Sequence, residues 1–126
     1  MTSRLLLLPL AFIALGSPLR AFDHDSPAST TKAFCEALND KDKSEIEQFF
    51  SSETLSRNGD AQNQELLLNY EVGVSHGQKI SGIKVLHIYS YGNTAAALTV
   101  VHYAGGGANM FQFSFVRENG DWKLVI

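Results

Sequence analysis

Residues 118–126, ENGDWKLVI, join a tight-turn signal to a run of strand formers, and their reading decides the fold. Asn119-Gly120 favours a two-residue hairpin loop, because both residues tolerate positive φ. Such a loop sets Phe115 opposite Leu124, and residues that face each other across a ladder share one side of the sheet. Trp122, Leu124 and Ile126 therefore join Phe115 on one face, and the last strand is expected to enter the core. Losing a buried Trp costs about 3–5 kcal/mol, a large part of a total stability of about 5–15 kcal/mol.

From Lys79 onward the apolar period is two, and the turn signals YGNT, AGGGA and ENGD cut this stretch into four strands of a meander. A loop at Gly92-Asn93 pairs Val85 with Val100 and His87 with Leu98. With Gly106-Gly107 as the middle loop, Phe111, Phe113 and Phe115 join Leu98, Val100 and His102. One face then gathers Ile83, Val85, Leu98, Val100, three phenylalanines, Trp122, Leu124 and Ile126, and such a face must be covered. The other carries Lys84, Leu86, Ile88, Ser90, Ala97, Thr99, Val101, Tyr103, Met110, Gln112, Ser114 and Val116. That mixed surface suits either a homodimer interface or a half-wet sheet face.

The cover comes from the segment before Lys79. Ser26 is placed to cap a helix with Pro27 at its first position, where the missing N–H costs nothing. Thr31, Phe34 and Leu38 fall on one stripe of it, with Ala37 beside them. A second helix is expected from Ser44, with Glu47 at the capping-box spacing and Ile46, Phe49 and Phe50 buried. SSETLSRNGDAQ reads as a connection with one short strand around Thr54 to Ser56, which would be a fifth strand. A third helix over QNQELLLNYEVGVSHG repeats Leu67, Tyr70 and Val74 at helical spacing, with His76-Gly77 as its stop. The fold class expected is α+β: three N-terminal helices on one face of a curved, antiparallel four- or five-stranded meander.

Residues 1–21, MTSRLLLLPLAFIALGSPLRA, place a single early cation before an apolar run, the layout of a secretory signal peptide. Cleavage after Ala21 offers a small residue at the cut but leaves Leu19 at the third position back, whereas cleavage after Gly16 finds Ala14 there; the end at Ala21 is the one adopted. The run is about half of the roughly 20 residues that a spanning helix needs, so no permanent membrane anchor is expected. The expected organisation is a leader over 1–21 and one domain over 22–126, secreted or periplasmic. Removal of the leader takes Arg4 and Arg20 and leaves eight basic against thirteen acidic residues, a net charge of −5. Such a balance disfavours nucleic acid as a partner. Cys35 is the sole cysteine, so no intrachain disulfide forms, and its place in AFCEALND reads as a packed helical thiol.

Pro27, Thr31, Phe34, Ala37-Leu38 and Asp42, then a capped second helix, a third helix, a strand meander and a closing ENGDWKLV, resemble the nuclear transport factor 2-like superfamily. Within it the likeness is closest to secreted lumazine-binding-like domains of unknown function. The resemblance spans residues 26 to 126 and implies a cone-shaped fold with a pocket between sheet and helices. Isomerase-like members resemble one another in an acidic general base inside that pocket. Here the strand interiors hold no Asp or Glu; Glu118 and Asp121 flank a turn.

By this register His87 and His102 share the covered face, but lie about 13 Å apart at about 3.3 Å per residue, too far to share a zinc ion. His87, Tyr89 and, from the third helix, Tyr70 are candidates to orient a small ligand, with His102 a further pocket residue. AGGGA leads into a strand rather than a helix, so it is a hairpin turn and not a phosphate cradle. No metal site, cofactor or nucleophile–base pair is implied. The expected function is that of an exported, non-enzymatic domain that binds a small apolar or aromatic ligand or a protein. The alternative is a small lyase or isomerase with His87 or His102 as general base and Tyr89 as hydrogen-bonding electrophile.

Overall fold

The computed structural model describes residues 24–57 and 60–126; the leader expected over residues 1–21 lies outside them, as does the side chain of Leu67. Among the described residues, four helices precede four strands: α1 (Pro27–Asp40), α2 (Lys43–Glu47), α3 (Ser52–Arg57), α4 (Asp60–Ser75), β1 (Ile80–Tyr91), β2 (Thr94–Tyr103), β3 (Ala108–Glu118) and β4 (Asp121–Leu124). The strands form one antiparallel sheet in the order β1-β2-β3-β4, the expected meander.

The helix starts follow from side-chain capping. Ser26 Oγ accepts from the Ser29 amide at 3.1 Å and Pro27 opens the helix, as the sequence indicates. The cap of α2 lies two residues earlier than the expected Ser44, at Asp42: one carboxylate oxygen accepts from the amides of Ser44 and Glu45 at 2.9 and 3.4 Å. A carboxylate at that position also meets the positive end of the helix dipole, an advantage that a Ser44 cap lacks. Ser51 caps α3 in the same way, accepting from the Thr54 amide at 3.1 Å. This helix replaces the short strand expected around Thr54 to Ser56. The extra pairing lies just before it: the Leu124 amide donates to the Phe49 carbonyl at 2.6 Å, and the Ser51 amide to that of Leu124 at 2.8 Å. A piece of irregular chain thus covers the edge that β4 would expose.

The covered face differs from the expected one in β2. Ala95, Ala97, Thr99, Val101 and Tyr103 are buried, while His102 is exposed and Leu98 and Val100 are half-buried on the other side. The cause is the β2–β3 loop. It runs wider than a two-residue turn, with Gly106 and Gly107 at φ 103° and 88°, so Ala97 faces Phe113 and Thr99 faces Phe111. An odd-numbered shift of register exchanges the two faces of a strand. In β1 the Gly92-Asn93 hairpin keeps the expected pair His87–Leu98, but a bulge between Val85 and His87 then sets Val85 opposite Thr99. Ile83 and Val85 therefore pack on the core as expected, Ile88 joins them, and His87 points the other way. β4 delivers Trp122 and Leu124 to the core as expected, whereas Ile126 is 36% exposed.

Phe34 of α1 sits over this small-residue surface and is fully buried. Its ring makes edge contacts with Phe49, Phe50, Tyr70 and Phe113, centroids 5.6–6.0 Å apart. Edge-to-face aromatic pairs add to area burial. Phe34→Ala is expected to cost about 3–5 kcal/mol in denaturant unfolding, whereas Tyr91→Ala stays within about 0.5 kcal/mol; equal costs would contradict this placement.

Candidate functional site

Both tight hairpins lie at the same end of the sheet, tied by the Arg117 amide donating to the Asn93 carbonyl at 2.8 Å. On the face away from α1 and α4, two rows cross the strands here: Tyr89–Ala96–Ser114 and Tyr91–Thr94–Val116. Bulky side chains stand at the margins and small ones between, so a trough remains. The cleft measures about 740 Å³ and is lined by these residues, by Val125, and by Ser51 and Glu53 at the start of α3. Ser90, Ala95 and Phe115, from the intervening row, complete it.

Its charges are acidic. Glu118 ends β3 and reaches α3, accepting from the Ser52 amide at 3.0 and 3.2 Å and from the Ser52 hydroxyl at 3.0 Å. The neighbouring cations are turned elsewhere. The Arg117 guanidinium lies 5.5 Å from the centre of the Trp122 ring, and Lys123 Nζ donates to the Gln48 carbonyl at 2.6 Å. Among the described residues, Glu53 and Glu118 are the charged ones of the lining.

Of the residues singled out in the sequence, His87 and Tyr89 come together, with ring centroids 4.3 Å apart, on the uncovered face. Tyr89 lines the trough. His102 is exposed on the same face, opposite Gly82 and Ala108, toward the other end of the sheet. Tyr70 lies on the covered side against Phe34 and Phe50, so the grouping of His87, Tyr89 and Tyr70 does not form. Burial, with the Cys35 sulfur nearby, pushes the Tyr70 phenol upward. The space between sheet and helices, where the resemblance implied a pocket, holds the ring cluster of Phe34, Phe49, Phe50, Tyr70 and Phe113. Glu53, Ala96 and Ser114 were not singled out as site residues. Their one signal in the sequence is small residues flanked by tyrosines beside a turn carboxylate, and it needs the register to be read.

A smaller cleft of about 480 Å³ lies between α1 and the start of β1, lined by Lys32, Cys35, Glu36, Asn39 and residues 80–83. The Asn39 amide pairs with the Ile80 backbone in both directions, at 2.8 and 2.9 Å, and so occupies the start of the β1 edge. Cys35 beside it is buried, and burial, then the Glu36 carboxylate, push its thiol from 9.0 up to about 12. The packed-thiol expectation from AFCEALND fits this position.

The arrangement is the NTF2-like α+β fold. A putative NTF2-like transpeptidase from Campylobacter jejuni superposes with a TM-score of 0.60 at 10% identity, over 80% of this chain and 98% of that one. An NTF2-like protein of unknown function from Shewanella baltica gives 0.51 at 17% identity, over 99% and 93%. No protein-family model and no curated protein matches the chain.

A thiol raised on folding favours the folded state below its unfolded pKa, and this contribution is lost as pH rises from about 9 toward 12. Stability of the wild type should therefore fall in that window, and Cys35→Ala should flatten part of the fall when denaturation midpoints are followed against pH. Identical slopes for the two proteins would contradict a buried, neutral thiol.

Proposed function

We propose that this protein is an exported, non-enzymatic binding domain that works through the uncovered face of its sheet. The observation that carries this reading is the persistence of large apolar side chains there: Leu86, Tyr89, Tyr91 and Met110 are 43%, 55%, 88% and 58% exposed. Contiguous exposed apolar surface is the usual mark of an interaction site. The face has two parts. The hairpin end holds the trough, sized for a small apolar or aromatic ligand. The remainder, around Leu86, Leu98, Val100 and Met110, is flat enough in composition to receive a second copy of the chain as a homodimer.

Export, to the periplasm or the exterior, rests on the leader-like residues 1–21 and on a lone cysteine that burial shields from oxidation. The non-enzymatic reading rests on where the titratable groups lie: His87 and His102 stand on open surface rather than inside a cavity. The likeness to a transpeptidase by name would call for an activated Ser or Cys nucleophile, and Cys35 is buried with its thiol raised to about 12.

A panel of small aromatic and aliphatic compounds, screened by melting temperature, tests the ligand part. A binder at a hundred times its Kd should stabilise by about 2.7 kcal/mol. Ala96→Phe, which fills the trough, should abolish the shift without lowering the starting melting temperature. A panel without a single shift would dispose of the ligand reading. Light scattering tests the homodimer separately: Met110→Glu should halve the mass of the wild-type species, and a wild type already monomeric would remove that part.

A further inference from the structure

We infer that the trough takes a small organic cation with an apolar body; this rests on the binding reading above and narrows it to one class. Among the described residues the charge of the lining is of one sign, supplied by Glu53 and Glu118. From Val72 to Arg117 the sequence holds no Asp or Glu, so the sheet carries carboxylates only at its hairpin end, where Glu118 closes β3 and Asp121 opens β4. The two acids of the lining are set at its margin, Glu53 by the first turn of α3 and Glu118 by its hold on Ser52.

That hold matters for recognition. A carboxylate offers about four acceptor sites, and Ser52 makes three contacts with Glu118, which fix the group while leaving capacity for one more donor. Among the described side chains, the two neighbouring cations are engaged elsewhere. Arg117 stacks on Trp122, and Lys123 donates to a main-chain carbonyl. Lys84 lies in the row of Val100, outside the trough.

The opposite wall adds the second element. Tyr91 and, beside the His87 ring, Tyr89 are exposed aromatic side chains, and an ammonium group over such a ring is attracted by its quadrupole. The floor between, Ala96 and Ser114, admits an apolar body. A cation is therefore met by tyrosine rings on one side and carboxylates on the other. An anion of the same shape gains the apolar contact but is repelled by the carboxylates, and an uncharged analogue gains only the apolar contact.

The test is an NMR titration of the purified protein at low salt with three matched probes: 4-phenylbutyltrimethylammonium, 4-phenylbutanol and 4-phenylbutanoate. The cation should bind about tenfold more tightly than the alcohol, with amide shifts centred on Tyr89, Ala96 and Ser114. The preference should shrink as salt is raised. Replacing both acids, Glu53→Gln with Glu118→Gln, should bring the cation down to the affinity of the alcohol; the Gln amide oxygen can still accept from Ser52. If that double variant fails to fold, Ala96→Phe replaces it and should block the cation without touching a charge. Equal binding of cation and alcohol in the trough overturns the charge assignment and leaves the trough standing as a binding site. Shifts confined to another part of the molecule, or none with any probe, overturn the inference and the binding reading together.

Discussion

The register between β2 and β3 is the constraint on which the rest of this molecule depends. Tyr103 is fixed at the end of β2 by its hydroxyl, which donates to the Val74 carbonyl at 2.5 Å, and the next residue is tied by Ala104 N to the Lys79 carbonyl at 2.9 Å. With the strand held there, Gly106 and Gly107 close the loop at positive φ, where other residues are strained. Ala95, Ala97 and Thr99 then fall opposite Phe115, Phe113 and Phe111. Large side chains on one strand face small ones on its neighbour, and the room this leaves is where the Phe34 ring packs. The other register would set Leu98 and Val100 against the same phenylalanines and leave no such space; overfilling a core costs about 1–3 kcal/mol.

The same alternation explains why exposed apolar surface lies on the far side. Because β2 turns Ala95, Ala97 and Thr99 inward, it turns Leu98 and Val100 outward, and the regular hairpin pairing of His87 with Leu98 and of Tyr89 with Ala96 adds His87 and Tyr89 to them. The interior is closed by aromatic rings, and the unused apolar surface is displaced onto the uncovered face. At the hairpin end Ala96 and Ser114 interrupt it, and the trough is the result. Its acidic margin follows from charge placement along the chain, with carboxylates concentrated before Val72 and cations at the sheet end occupied by Trp122 and Gln48.

Much of the architecture could be read from the residues. Ser26-Pro27 marked the first helix, the change of period after Lys79 marked the sheet, and the two short hairpins fixed both outer pairings near their turns, Phe115 with Leu124 and His87 with Leu98. What could not be read was set at a distance. The bulge beside Leu86 leaves no mark in composition, and the width of the glycine loop is decided by Tyr103 and Lys79 rather than by the glycines. Leu98 and Val100 look more like core than Ala97 and Thr99 do, and only the volume of Phe34 reverses that preference. The candidate site suffered most: Tyr89 belongs to it, Tyr70 does not, and Glu53 and Glu118 become neighbours of the trough only once α3 is folded against the end of β3.

The most direct test is the set of NOE contacts between backbone protons of facing residues across β2 and β3. The structure predicts contacts of Ala97 with Phe113 and of Thr99 with Phe111. Contacts of Leu98 with Phe115 and of Val100 with Phe113 would contradict it, returning His102 to the covered face and removing the trough together with everything proposed for it.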